Sequence, residues 1–496
     1  MHGGRPAGVA SGEAGQAPAQ HESAPSATRG RQVLELAVLL ALGPALAAVA
    51  VGLSERESSS TLEGALLTFI AFLLGALVFR RERQLSSLLP LTGALLPLAP
   101  AACGLIALEV LMLATGVPSV SSWELLAAAA LVVVPAVAGR RLLHRERCLR
   151  TAVIGLPHSA GMLGRELELA GVTRYTVVGV ITPDAEAQRT GPDLTDLPIL
   201  GTLEELGPLV EGHRIDLLLM SGSVSRLAVF DEMARSCLHL PVRLWELTGF
   251  YEEVFGHVPV AEINASWFQY IMHPRFNAGA GFTKRALDLV VGSLVALPGL
   301  PLIALLGLLV SRDGGPAFFK QTRIGEGGEP FTVYKLRTMR EGTEASAQWA
   351  AAEDPRVTPL GRVLRKTHLD ELPQLMNVLR GDMSLVGPRP EQPAFVDRLE
   401  ATIPFYSRRH LVRPGVTGWA QVRCGYAGSD LGSAWKLCHD LYYLKHRSLS
   451  LDLAIIAETV RTLVADRQYG IEPSGVSFIM RAESPDALKP HVAASA

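Results

Sequence analysis

A chain of 496 residues exceeds what one hydrophobic core ordinarily organises, so several units are expected. Its 46 basic and 48 acidic residues nearly balance, which argues against a nucleic-acid binder that neutralises phosphates along a groove. Cys103, Cys148, Cys237, Cys424 and Cys438 form no C-x-x-C pair, which argues against a disulfide framework or zinc site, and a mean hydropathy of +0.25 with 19% charged residues points to a membrane.

Residues 1–31 are rich in Gly, Ala, Pro and Ser with almost no large apolar side chains, which predicts a disordered tail without the features of a secretory peptide. Four apolar blocks follow, Leu36–Leu53, Gly64–Phe79, Leu88–Val117 and Leu125–Gly139, and predict a four-helix transmembrane bundle over 32–148. Glu109 in the third block costs about 2.5–3.5 kcal/mol at a bilayer centre, and a buried soluble bundle is the alternative. Arg29 and Arg31 precede the first block, Arg80, Arg81 and Arg83 follow the second, and Arg140, Arg141, Arg145, Arg147 and Arg150 follow the fourth. The other loops hold only Arg56. The positive-inside rule then puts the rest of the chain in the cytoplasm.

From Thr151, the runs TAVIG, TVVGVI, RIDLLLM and VRLWEL alternate with helical segments, which predicts a Rossmann-like α/β domain over 149–260. Its first turn carries Gly155, Gly161 and Gly164, but Pro157 stands where a dinucleotide fingerprint wants its second glycine. A structural or regulatory domain is therefore expected. The alternative for the whole chain is an NAD-dependent nucleotide-sugar oxidoreductase or dehydratase, and a third reading is a non-enzymatic scaffold.

After a linker over 261–281, Lys284 and Arg285 lead into an uncharged run, Leu289–Val310, about 33 Å long as a helix and sufficient to cross a membrane. Pro298 and Pro301 each remove a helical hydrogen bond at about 3 kcal/mol, which predicts a break. Basic residues on both sides, with Arg312, Lys320 and Arg323 beyond, predict a re-entrant helix over 286–310 that enters and leaves by the cytoplasmic face. A kinked true span is the alternative.

The stretch FFKQTRIGEGGEPFTVYKLRTMR supplies Lys320, Arg323, Lys335, Arg337 and Arg340 around Gly325, Gly327 and Gly328. Arginine forks and lysine charges suit a diphosphate, although the spacing is not that of a P-loop and a solvated charged face fits equally. In KTHLDELPQLMNVLRGD, Thr367 to Asp370 has capping-box spacing, which predicts a helix from about Asp370 to Gly381. Asp370 and Glu371 then read either as cap and first-turn acid or as two reactive carboxylates at an anion-favouring helix end, diverging by about 100°.

The segments KRALDLVVGSLVALPGLPLIALL, GPAFFKQTRIG, YKLRTM, LDELPQLMNVLRGDMSLVGPRPE, VRPGVTGWAQV and DLYYLKHRSLSLDLAII together resemble the bacterial sugar transferases that act on polyprenyl phosphate, the monotopic phosphoglycosyl transferases. The likeness covers 282–466. The preceding part is similar to the large members, with FYEEVFGHVPVAEINASWF as lead-in. The resemblance implies a multidomain membrane protein: a four-helix transmembrane bundle, a Rossmann-like α/β domain, an α-rich catalytic domain over 282–470 with the re-entrant helix, and a tail over 471–496. It implies transfer of sugar-1-phosphate from a UDP-sugar to undecaprenyl phosphate, with release of UMP, in exopolysaccharide or capsule synthesis. Asp370 would be the nucleophile that carries a covalent phosphosugar, and Glu371 would bind Mg2+ and assist. Lys335 and Arg389, with Lys320, Arg323 and Arg337, would bind phosphate or nucleotide. The enzyme would sit in the bacterial inner membrane among lipids with its catalytic domain on the cytoplasmic face, and a homodimer is compatible. Leu297-Pro298-Gly299 departs from the Ser-Pro often found at the break, and nothing in RRHLVRPGVTGWAQVRCGYAGS selects between UDP-glucose and UDP-galactose.

Overall fold

The computed structural model describes residues 148–184, 197–263, 267, 280–340, 355–424 and 429–465. The expected tails and four-span bundle lie outside the described residues.

The first described part is a parallel sheet. Strands β1 (Leu149–Ile154), β2 (Tyr175–Thr182), β3 (Ile199–Thr202), β4 (Leu217–Met220) and β5 (Arg243–Glu246) lie in the order β3-β2-β1-β4-β5, all parallel. Alternation along the strands splits the core in two. Val153, Leu217 and Leu219 face helices α1 (Pro157–Leu169) and α4 (Leu247–Val254), whereas Ala152, Ile154, Leu218 and Met220 face α2 (Leu206–His213) and α3 (Arg226–Glu232). Covered on both faces, the strands read as continuous apolar runs in the sequence.

The second part is built on helix α5 (Ala280–Val310), the one helix among the described residues long and apolar enough to cross a membrane. Asp288, Gly292, Ala296, Gly299, Ile303, Leu306 and Val310 form a buried stripe at spacings of three and four. Val290, Leu294, Leu297, Leu305 and Leu308 are exposed, an apolar surface suited to membrane association. Helical conformation runs unbroken through Pro298 and Pro301, where the sequence predicts a break. Proline's fixed φ is itself helical, so its penalty falls on hydrogen bonding more than on backbone conformation.

Both ends of α5 are tied to the same module. Near its start, Lys284 pairs with Asp452 at 2.8 Å, and Arg285 donates to the Val378 and Leu379 carbonyls at 2.6 and 2.7 Å. Those carbonyls lie at the end of α7 (Leu375–Arg380), where a cation meets the negative end of a helix. Asp288 accepts from Ser384 Oγ at 2.8 Å and from the Leu385 amide at 2.9 Å. At the far end, Arg337 of the antiparallel hairpin β6 (Phe318–Ile324) and β7 (Pro330–Leu336) donates to the Val310 and Pro316 carbonyls.

Around these elements stand α6 (Pro359–Lys366), the parallel pair β8 (Ser384–Val386) and β9 (Gly415–Thr417), and α8 (Pro393–Thr402). Helices α9 (Trp419–Cys424), α10 (Asp430–His446) and α11 (Leu449–Ala465) complete the module. Val378, Met383, Val386, Leu399, Trp419, Leu437, Leu441 and Ile455 share its core. The β8–β9 approach requires glycine. A Cβ on Gly415 would lie 2.1 Å from the Gly387 nitrogen, and one on Gly387 would lie 2.3 Å from the Arg413 carbonyl.

The two parts are joined by more than a tether. Val258, Val260, Ile263 and Trp267 are buried in the core of the second part, so the expected linker begins inside it. Val258 donates to the Cys438 carbonyl at 3.0 Å, and Trp419 Nε1 to the Gly256 carbonyl at 2.7 Å. Buried Glu252 of α4 accepts from Trp267 Nε1, Lys445 Nζ and His446 Nε2 at 2.7–2.8 Å. Burial opposes its ionisation, but His446 and Lys445 outweigh this and hold its carboxyl below the ordinary range. At the same joint, His257 Nε2 lies 3.1 Å from Glu166 Oε1 and packs on Trp435 and His439. Burial pushes Glu166 up to about 8 and His257 well below its ordinary value, which disfavours charge on both.

Two outcomes are expected. Gly415→Ala should destabilise the second part by about 3 kcal/mol or more, seen as a lower melting temperature in detergent. The raised Glu166 pKa means that the folded state keeps a proton which the unfolded state releases above its ordinary 4.5. That stability is fully present below pH 4.5 and lost as pH rises through 8, amounting to roughly 5 kcal/mol at most. Melting temperature should therefore fall between pH 5.5 and 8, and Glu166→Gln should flatten the fall.

Candidate active site

Three backbone devices bring the carboxylates and cations together. In the β6–β7 hairpin, Phe319 pairs with Lys335 and Gln321 with Val333, so Lys335 shares a face with Gln321 and Arg323. Buried Asn377 of α7 donates to the Thr332 carbonyl at 2.8 Å, fixing this hairpin against the helix. The second device is a 3-10 turn over Leu369–Gln374 that presents Asp370 and Glu371 just before α7. The third is the Gly387-Pro388-Arg389-Pro390 loop after β8. It is held by bonds from Gly387 N to Thr417 O and from Gly415 N to Pro388 O, both 2.9 Å.

The turn differs locally from the predicted helix start. Thr367 does not cap it: its hydroxyl donates back to the Val363 and Leu364 carbonyls at the end of α6. His368 takes the left-handed conformation at φ 57° and separates the two helical segments. Pro373 is accommodated inside the 3-10 turn, and the α-helix starts only at Leu375, ending as expected at Gly381 with φ 100°. The environment of Asp370 is therefore set by side chains rather than by a long helix end.

Glu371 is the hub. Its Oε1 accepts from Lys335 Nζ at 2.7 Å and from Arg389 Nη2 at 2.6 Å, and its Oε2 lies 3.4 Å from Arg389 Nη1. Burial alone would raise this carboxyl, but Arg389 and Lys335 hold it well below the usual carboxylate range. Asp370, 8% exposed, takes no ion pair among the described residues. Burial and then the Glu371 charge raise its pKa, against the pull of Lys335 and Arg365. Lys335 is lowered by burial and supported by Glu371. One acid is thus neutralised by two cations while its neighbour keeps an unpaired, less stabilised anion.

The other sequence candidates divide. Arg323 lies at the edge of the cluster, donating to the Pro390 carbonyl at 3.0 Å and facing Glu391 at 3.5 Å. Strand alternation turns Lys320 to the opposite hairpin face, where it lies over the Tyr334 ring. Arg337 is buried outside the cluster, bound to Asp313 and the end of α5. Pro298 and Pro301 lie on the exposed side of α5.

Sequence reasoning missed Arg409. Its buried guanidinium donates to Arg389 O at 3.0 Å and Tyr406 Oη at 2.7 Å, and pairs with Asp440 at 2.8 Å. It therefore holds the backbone of the residue that clamps Glu371. The only signal was the basic run Arg408-Arg409-His410, which does not reveal which member points inward. Among the described residues, no group of three or more His, Cys, Asp or Glu side chains could hold a metal. A single carboxylate sharing a cation with substrate phosphates still fits Glu371, because among the described residues its Oε2 is engaged only by the long Arg389 contact.

A profile described as bacterial sugar transferase matches residues 279–466, the span that holds α5 and the whole cluster. The UDP-N-acetylgalactosamine-undecaprenyl-phosphate N-acetylgalactosaminephosphotransferase of Aeromonas hydrophila is 41% identical over 236 residues, 47% of this chain and 54% of that protein. The chain thus spans about half the length of that relative. The UDP-glucose:undecaprenyl-phosphate glucose-1-phosphate transferase of Caulobacter vibrioides is 47% identical over 192 residues, 38% of this chain and 72% of that protein. An undecaprenyl-phosphate glucose phosphotransferase of Komagataeibacter xylinus is 31% identical over 348 residues, 66% of this chain and 64% of that protein. The carboxylate pair, its cation clamp and the apolar helix beneath them all fall inside the matched span, and the chain belongs to the bacterial sugar transferase family.

Proposed function

We propose that the chain transfers sugar-1-phosphate from a UDP-sugar to undecaprenyl phosphate, with Asp370 as the nucleophile. The observation that carries this reading is the unequal pair: Glu371 is clamped by Lys335 and Arg389, while Asp370 beside it is buried without an ion pair among the described residues. An anion that little stabilises is a better nucleophile, and fixed cations next to it suit the charge that develops on phosphoryl oxygens. Asp370 attacks the β-phosphorus, the bond from that phosphorus to the UMP oxygen breaks, and UMP leaves with the electron pair. An oxygen of the lipid phosphate then attacks the same phosphorus, and the aspartyl bond breaks to restore the carboxylate. One site can in this way serve a soluble and a lipid-borne substrate in turn.

Lys335, Arg389 and, at the edge, Arg323 would receive the diphosphate. Mg2+, taken up by Glu371 with substrate phosphates, would supply further neutralisation of phosphoryl charge. Placement at the cytoplasmic face of the inner membrane is supported by the arginine distribution around the N-terminal apolar blocks. A re-entrant rather than spanning α5 is supported by its two ends, which bind the same module through Arg285 and Arg337, whereas a crossing helix would put those two contacts on opposite sides of the membrane. The α/β part, with its 3-2-1-4-5 strand order, reads as a Rossmann-like domain, and exopolysaccharide or capsule assembly is the pathway class the product suits.

The test is incubation of detergent-solubilised chain with a panel of UDP-sugars and Mg2+, without lipid acceptor. UMP release with a phosphosugar adduct mapped to Asp370 by mass spectrometry is expected, and absence of both with every sugar overturns the reading. Asp370→Asn should lower turnover by about a thousandfold or more, measured as UMP release with lipid present. Arg409→Lys keeps the charge but loses the fork that holds Arg389. It should cut kcat by about 10–100-fold with a smaller change in KM, because a displaced clamp misplaces reacting groups.

A further inference from the structure

The α/β domain has a crevice at the point where its strand order reverses, between the carboxyl ends of β1 and β4, where such sheets commonly receive ligands. In this chain a carboxylate from the following segment occupies it. Glu262 Oε1 accepts from Ser159 Oγ at 2.7 Å, and Oε2 accepts from Ser221 Oγ at 2.7 Å and from the Gly222 amide at 2.8 Å. Ser159 belongs to the first turn of α1, whereas Ser221 and Gly222 follow β4, so three donors from two separate elements converge on one buried anion. The fit extends to the backbone: a Cβ on Gly222 would lie 2.5 Å from the Glu262 carbonyl oxygen. Pro157, at the start of α1, offers no amide. The remaining donors satisfy both oxygens of a carboxylate.

We propose that Glu262 is an internal ligand of the α/β domain, filling the anion position at the β1–β4 crevice and latching that domain to the catalytic module. Its neighbours make the latch. Val258, Val260 and Ile263 lie in the catalytic core, and Val258 and Gly256 bond to Cys438 and Trp419. Seating Glu262 therefore fixes the path of Phe255–Ile263 against α9 and α10. A phosphate group and the Glu262 carboxylate would compete for the same three donors, so the seated chain excludes phosphate-bearing ligands. The domain has taken the next segment of its own chain as its occupant, a role independent of the transferase reading.

The test uses the full chain in detergent with Glu262→Ala and, in case that variant misfolds, Ser159→Ala. Hydrogen exchange is followed over residues 255–263, and inorganic phosphate and NAD are titrated by calorimetry. The original chain should bind neither probe. Glu262→Ala should speed exchange in this segment by about tenfold or more and create saturable phosphate binding, and Ser159→Ala should speed it by a smaller factor. The proposal is overturned if the original chain binds phosphate or NAD, or if exchange is unchanged in the variants that fold. Faster exchange in Glu262→Ala without phosphate binding also overturns it, because the crevice would then not be an anion seat.

Discussion

A buried carboxylate held between two cations from distant parts of the chain sets the geometry of the catalytic module. Taking the Glu371 carboxylate out of water is costly, and close pairing with Lys335 and the partly exposed Arg389 offsets this. Each partner is therefore delivered by a rigid device: Lys335 by a hairpin fixed through Asn377, Glu371 by a 3-10 turn, and Arg389 by a loop between closely packed glycines. Arg409, paired with Asp440, secures the last of these from behind. Asp370 is left out of the pairing, and that exclusion distinguishes it chemically from its neighbour.

The same elements rest on the apolar helix. Asp288 of α5 holds the start of β8, and Arg285 holds the end of α7. The strand that leads to Arg389 and the helix that follows Asp370 are thus both referenced to α5. A helix that presents leucines outward and polar anchors inward couples a charged site to an apolar surface, as the proposed transfer to a lipid-borne phosphate would need.

The joint to the α/β domain is unusually rich in buried polar groups, and each has a defined state. Glu252 is held below the ordinary carboxylate range by His446 and Lys445, whereas burial prevails at Glu166 and His257, raising the first and lowering the second. Cys424 lies 3.2 Å from His439 Nδ1, yet burial raises its thiol and that of Cys438, so both are inert packing groups at neutral pH.

Local chemistry was legible in the sequence. Apolar runs marked the parallel strands, the uncharged run marked α5, Gly381 marked a helix end, and the motif set marked Asp370, Glu371, Lys335 and Arg389. These features depend on periodicity and on the conformational limits of single residues, which short stretches carry by themselves. Partner choice was not legible. Lys320 and Lys335 are equally basic, and only the hairpin face separates them; Arg337 and Arg409 lie in similar basic runs, yet one ends a helix and the other backs the clamp. Glu262 looked like linker until the β1–β4 crevice supplied its donors. Charge type and strand period are properties of neighbours in sequence, but which charge meets which depends on contacts between residues tens to a hundred positions apart, and those exist only in the folded chain.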